Sequence, residues 1–203
     1  MTTQSSIRHI VVLVHPGSTL LNISAPVEIF RKAMKYKDRS EKPIDIFYEV
    51  HIVSAQKNRK IETEAGIPII CETSYKEITY PIDTLIVAGA PRENGFKKEV
   101  LLWIREQADI VRRICSLCAG AFILAEAGVL KNRKAVTHWE LCEELAINYP
   151  DTQVNMDAIF VKDGHVYTSA GTTAGFDLSL ALVEEDLGKQ FAIMIAKIMV
   201  LFL

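Results

Sequence analysis

Short, continuous apolar runs alternate along the chain with longer stretches in which apolar positions recur every three or four residues. Residues 7–14 (IRHIVVLV), 46–53 and 83–87 (DTLIV) are rich in β-branched side chains, the pattern of strands covered on both faces. Residues 134–137 read as a short strand leading into His138 and Trp139. The runs 158–161 and 165–169 flank Lys162-Asp163-Gly164, a hairpin signal. Between the strands, Val27, Ile29, Phe30 and Met34 give one apolar helix face, with Pro26 suited to the first turn. Residues 98–110 repeat helically through Val100, Leu101, Ile104 and Ala108. Leu141, Leu145 and Ile147 mark the apolar face of a helix that stops at Pro150. Residues 171–187 read as a long helix closed by Gly188, and 190–203 as a last apolar helix. Residues 60–71 (KIETEAGIPIIC) suggest a short hairpin, 31–42 a solvated helix end and loop, and 1–6 a loose polar start.

Strands alternating with helices predict an α/β sandwich on a largely parallel sheet. At 203 residues, with no repeat and no linker, the chain is expected to form one domain. Ligands on such sheets sit at the carboxyl ends of the strands. The loops after Val14 and Val87 and the turn at Cys118 should lie there, with His138 at the end of a fourth strand. That convergence defines the candidate pocket.

Residues 111–130 (VRRICSLCAGAFILAEAGVL) read as a strand, a sharp turn at Cys118, and a buried helix capped by Gly128. The positive end of that helix would favour a thiolate, which is the nucleophilic form. The plainer reading, a small buried apolar residue, is equally open for Cys118 from this pattern. Cys115 and Cys118 have CxxC spacing, but Cys115 should lie inside a strand, and the other cysteines, Cys71 and Cys142, are isolated. No metal set and no cofactor are therefore expected. A cysteine nucleophile needs a base or cation, for which His138 is the candidate, and oxyanion donors. The backbone amides of Ala119 and of Gly89 or Ala90 fit the donor role. His9, His15, His51 and His165 are weaker candidates. A net charge of −2 gives no reason to expect this domain to coat nucleic acid. Cysteines without a secretory leader suggest a reducing, cytoplasmic setting. The last helix is too short, and too interrupted by Lys197, to span a membrane.

Four segments carry a resemblance: VLVHPGSTLLNISAPVEIF, DTLIVAGA, ICSLCAGAFILAEAGVLKNRKAVTHW and AIFVKDGHVYTSAGTTAGFDLSLALVEEDLG. They resemble the ThiJ/PfpI superfamily of class I glutamine amidotransferase-like domains. The likeness is greatest to the amino-terminal domain of AraC-type transcriptional regulators, and next to isonitrile hydratase. It implies a flavodoxin-like three-layer α/β/α sandwich with Cys118 at a nucleophile elbow and His138 nearby. It also implies amides from Gly89 and Ala90, and a rim formed by Gly171, Thr172 and Thr173.

Two departures matter. Ala119 stands where peptidases of the superfamily have histidine and isonitrile hydratase-like enzymes have threonine. Asn22 stands where those enzymes carry an acid, and an amide cannot act as a general acid or base, although it can bind a ligand. Glu28 and Asp177 read as scaffold residues. The expected function is the small-molecule-sensing domain of an AraC-type regulator with little or no turnover. A cysteine-dependent hydratase or amidase is the alternative, and a thiol-based stress sensor a weaker one. The expected partners are a small ligand and a second copy of the chain, since a regulator reading two half-sites needs two copies. DNA would be bound only through a further helix-turn-helix domain. The apolar end at residues 199–203, with no polar cap, suggests that a longer protein continues past it.

Overall fold

The computed structural model describes residues 6–92 and 95–201. Of the start expected to be loose at residues 1–6, residues 1–5 fall outside that range, as do the last two apolar residues, while Ser6 already opens the first strand.

Seven strands form the main sheet, in the order β10-β11-β7-β6-β1-β2-β5. β1 (Ser6–Val14) lies inside the sheet, between β2 (Ile46–Ser54) and the central strand β6 (Ile82–Ala88). β7 (Arg113–Leu117) and β11 (Val166–Ser169) extend the parallel array on one side and β5 (Thr73–Ser74) on the other. β10 (Phe160–Asp163) is antiparallel, paired with β11 through the expected hairpin. β3 (Lys60–Glu62) and β4 (Pro68–Ile70) make a separate antiparallel hairpin, as expected for residues 60–71.

Alternation along each strand divides the core in two. Ile10, Val12 and Val14 face a layer made by α1 (Leu20–Lys35), α5 (Ala174–Leu187) and α6 (Lys189–Ile198). Val11 and Leu13 face the other layer, with α2 (Lys98–Ala108) and α3 (Gly120–Glu126). Phe191, Ala192, Ile195 and Ala196 place the apolar side of α6 in the first core.

Four expectations are corrected. Pro26 lies inside α1, not in its first turn, because the helix starts at Leu20. The 171–187 helix starts only at Ala174, because Gly171 and Thr172 have φ of 92° and 46°, which are not helical. Ile147 is 77 % exposed. Its helix, α4 (Cys142–Asn148), buries Cys142 and Leu145, three residues apart, and turns Ile147 outward. His138 does not end a main-sheet strand. β8 (Lys134–Ala135) pairs with β9 (Gln153–Val154) in a small separate sheet. The slot beside β7 is taken by β11, and Val136 N–H is taken by the Thr168 hydroxyl at 2.8 Å.

Candidate functional site

Cys118 sits between β7 and α3 with φ of 55°, a left-handed conformation that a non-glycine residue holds only when its surroundings impose it. Those surroundings can be named. Cys118 N–H donates to Ser169 O at 3.0 Å, and its carbonyl accepts the Thr137 hydroxyl at 2.9 Å. Gly171 packs so closely that a Cβ there would collide with the Cys118 side chain. Gly89 approaches from the end of β6: a Cβ on it would lie 2.9 Å from Ala119 N and 3.2 Å from Asn22 Nδ2. Both glycines are needed because two loops and the elbow meet backbone to backbone.

Above the sulfur opens a cavity of about 350 Å3, within the range of small-molecule sites. Gly89, Ala90, Pro91 and Arg92 from the β6 loop line it, with Cys118 and Ala119 from the elbow. Gly17, Thr19, Thr172, His138, Glu140, Leu141 and Glu64 complete the wall. The chain therefore brings together six of the expected site residues: Cys118, His138, Gly89, Ala90, Ala119 and Thr172. Thr173 is exposed and is not part of this wall. Asn22 lies in the first turn of α1, fully buried beneath the wall and not in a loop. Its Oδ1 accepts Thr172 N–H at 2.9 Å.

Of the two readings open for Cys118, the surroundings of the sulfur favour the neutral thiol. Burial pushes the Cys118 thiol above its ordinary value of 9.0; Ala119 N–H and the Asn22 amide favour the thiolate, while the Glu64 charge disfavours it. Desolvation outweighs the donors, and α3 is only seven residues long, so its end contributes little field. Asn22 Nδ2 is buried, no nitrogen or oxygen acceptor pairs with it among the described residues, and the amide favours the Cys118 thiolate. His138 Nδ1 faces Glu140 Oε2 at 3.6 Å.

Three charged wall residues escaped the sequence reading. Glu64, at the tip of the β3–β4 hairpin, accepts the Thr19 hydroxyl at 2.7 Å. Arg92 pairs with Glu144 at 2.5 and 2.9 Å and lies 3.9 Å from the Phe122 ring centroid. Arg92 and Glu140 were within reach of inference, one beside the Gly89-Ala90 loop and the other two residues past His138. Nothing local pointed to Glu64.

Elsewhere, Glu28 pairs with Lys32 along α1 at 3.0 Å, and Asp177 lies in the first turn of α5, where burial raises its carboxyl. His15 packs edge-on against Phe96 and is held neutral by burial, its pKa lowered to about 4. His165 Nε2 bonds Ala108 O. None of these four lines the cavity.

This architecture, a mostly parallel sheet between helix layers with a cysteine at a strained strand-to-helix turn, is that of a flavodoxin-like α/β domain with a nucleophile elbow. The chain belongs to the DJ-1/PfpI family, whose model matches residues 8–185. The HTH-type transcriptional regulator CdhR of Pseudomonas aeruginosa is 27% identical over 189 residues, 93% of this chain and 54% of the regulator. Isonitrile hydratase of Pseudomonas putida is 35% identical over 135 residues, 63% of this chain and 55% of the enzyme. The crystal structure of an AraC family transcriptional regulator from Pseudomonas putida superposes with a TM-score of 0.78 at 18% identity, covering 95% of this chain and 99% of that one. The chain thus spans about half the length of both curated relatives. Among the described residues, no helix is long and apolar enough to cross a membrane.

Proposed function

We propose that this domain is the ligand-sensing part of an AraC-type transcriptional regulator and that Cys118 lies in a binding pocket with little or no turnover. The observation that carries the reading is that the side chain acting on the Cys118 sulfur at this position is a neutral amide, Asn22. The sulfur faces a neutral amide, no carboxylate among the described residues hydrogen-bonds it, and burial favours its protonated form. A protonated thiol is a poor nucleophile. The similarity to an HTH-type regulator over most of the chain supports the same reading.

The wall also suggests what binds. Glu64 and Glu140 present two carboxylates, Glu140 beside His138, while the Arg92 guanidinium is paired with Glu144. A small polar metabolite with a positively charged group fits this balance. DNA contact would belong to a further helix-turn-helix domain, and the working form would be a cytoplasmic homodimer, measurable by light scattering.

Thermal-shift and calorimetric titration of the purified chain with a panel of small amines and zwitterions tests the proposal. Saturable binding that Cys118→Ala leaves within severalfold, without consumption of the ligand, supports it. Turnover abolished by Cys118→Ala would replace it with the second reading, a cysteine-dependent hydratase. That reading draws on the retained left-handed elbow, a strain of about 1–3 kcal/mol.

A further inference from the structure

A second polar cluster lies on the α2 face of the sheet, toward the amino end of β1 and away from the strand ends that carry Cys118. His9 of β1 is in register with Glu49 of β2, and His51 follows two residues later on the same face. Their side chains converge. His9 Nδ1 is 3.0 Å from His51 Nε2 and 3.2 Å from Glu49 Oε2, and His51 Nε2 is 4.0 Å from that same oxygen.

We propose that His9, Glu49 and His51 form a binding site for a divalent transition-metal ion of the zinc class. Ligand atoms about 2.0–2.1 Å from a tetrahedral zinc ion are about 3.3 Å apart, so two sides of this triangle already match and the third needs a small shift of an exposed carboxylate. Two imidazoles and one carboxylate are a donor set suited to zinc, with a fourth position left for water.

Three further features fit a metal site. The other ring nitrogen of His51 is 2.8 Å from Glu72 Oε2, the carboxylate–histidine arrangement that fixes the tautomer and aims Nε2 at an ion. Tyr80 stacks on both imidazoles, with centroid separations of 4.5 and 4.2 Å, and holds the rings in place. Glu49 and Glu72 have no lysine or arginine partner among the described residues, so a cation would balance their charge. Glu49 is 45 % exposed in its side chain, which gives an ion a route in.

Isothermal titration of the EDTA-treated full chain with zinc chloride tests the proposal. One equivalent should bind, and Tm should rise by about 5–10 °C at a hundredfold excess of free zinc over Kd. Glu49→Gln and His51→Ala should each weaken binding by about 100-fold or more, and Glu72→Gln by about 10- to 100-fold. Glu49→Gln alters an exposed group and carries the test if His51→Ala does not fold. Cys118→Ser should leave zinc affinity unchanged, so the outcome is independent of the ligand-sensing reading. Absence of stoichiometric binding overturns the proposal. So does zinc affinity that survives Glu49→Gln and Glu72→Gln, or that disappears in Cys118→Ser.

Discussion

Asn22 and Thr172, 150 positions apart, hold one another beside the Cys118 sulfur through the 2.9 Å bond from Thr172 N–H to Asn22 Oδ1. The bond fixes the amide so that its Nδ2 is directed toward the thiol. It also satisfies the backbone of a residue in a left-handed conformation, φ of 46°. Asn22→Ala should leave Thr172 N–H orphaned and cost about 1–3 kcal/mol. It should also slow Cys118 alkylation at fixed pH, because the thiolate loses a donor. Denaturant melts and site-resolved mass spectrometry measure the two effects.

Glu64 acts on the same sulfur with the opposite sign. Its charge raises the thiol, so Glu64→Gln should lower the Cys118 pKa and speed alkylation. If the ligand carries a positive group, the same change should weaken its binding about tenfold or more. Calorimetry on the wild type and variant reads the second effect.

Gly171 closes the elbow from above. At φ of 92°, and with no room for a Cβ against Cys118, Gly171→Ala should cost about 2–3 kcal/mol. The thermal midpoint should fall, and ligand binding should weaken because the sulfur is displaced.

The amino ends of the central strands, away from Cys118, are pinned by charge. Asp186 and Arg113 are each 2 % exposed in their side chains and pair at 2.8 Å, with Arg8 and Arg112 on the same carboxylate. Burial opposes ionisation of Asp186, but Arg113, Arg112, Tyr48 and Arg8 outweigh it and hold the carboxyl below its ordinary 3.8. A depressed folded value contributes stability above the unfolded pKa that is lost as pH falls through the folded one. Stability should therefore be level near neutrality and decline below about pH 4. Asp186→Asn should cost about 3–5 kcal/mol near neutrality, because it strands the buried Arg113 guanidinium. Denaturant melts as a function of pH check both.

The sequence made the fold and the elbow readable because each is encoded locally. The β-branched run of β1, the Gly164 hairpin and the apolar stretch entering Cys118 need no distant partner to be read. What escaped was long-range. Glu64 reaches the cavity through a hairpin whose docking no local pattern records. β8 looks like a sheet strand until β11 is seen in its slot. His9 and His51 read only as weaker candidates for the pocket histidine, because only the β1–β2 register brings them together. The state of Cys118 stayed open in the sequence because helix-end donors are visible there, whereas the burial that raises its thiol is not.

The most direct measurement is the pH dependence of Cys118 alkylation by iodoacetamide, resolved by mass spectrometry from the buried Cys71, Cys115 and Cys142. A neutral binding-pocket thiol predicts an inflection above 9.0, its ordinary value, with slow modification near neutrality. An inflection below about pH 7, as activated catalytic cysteines have, would contradict the account.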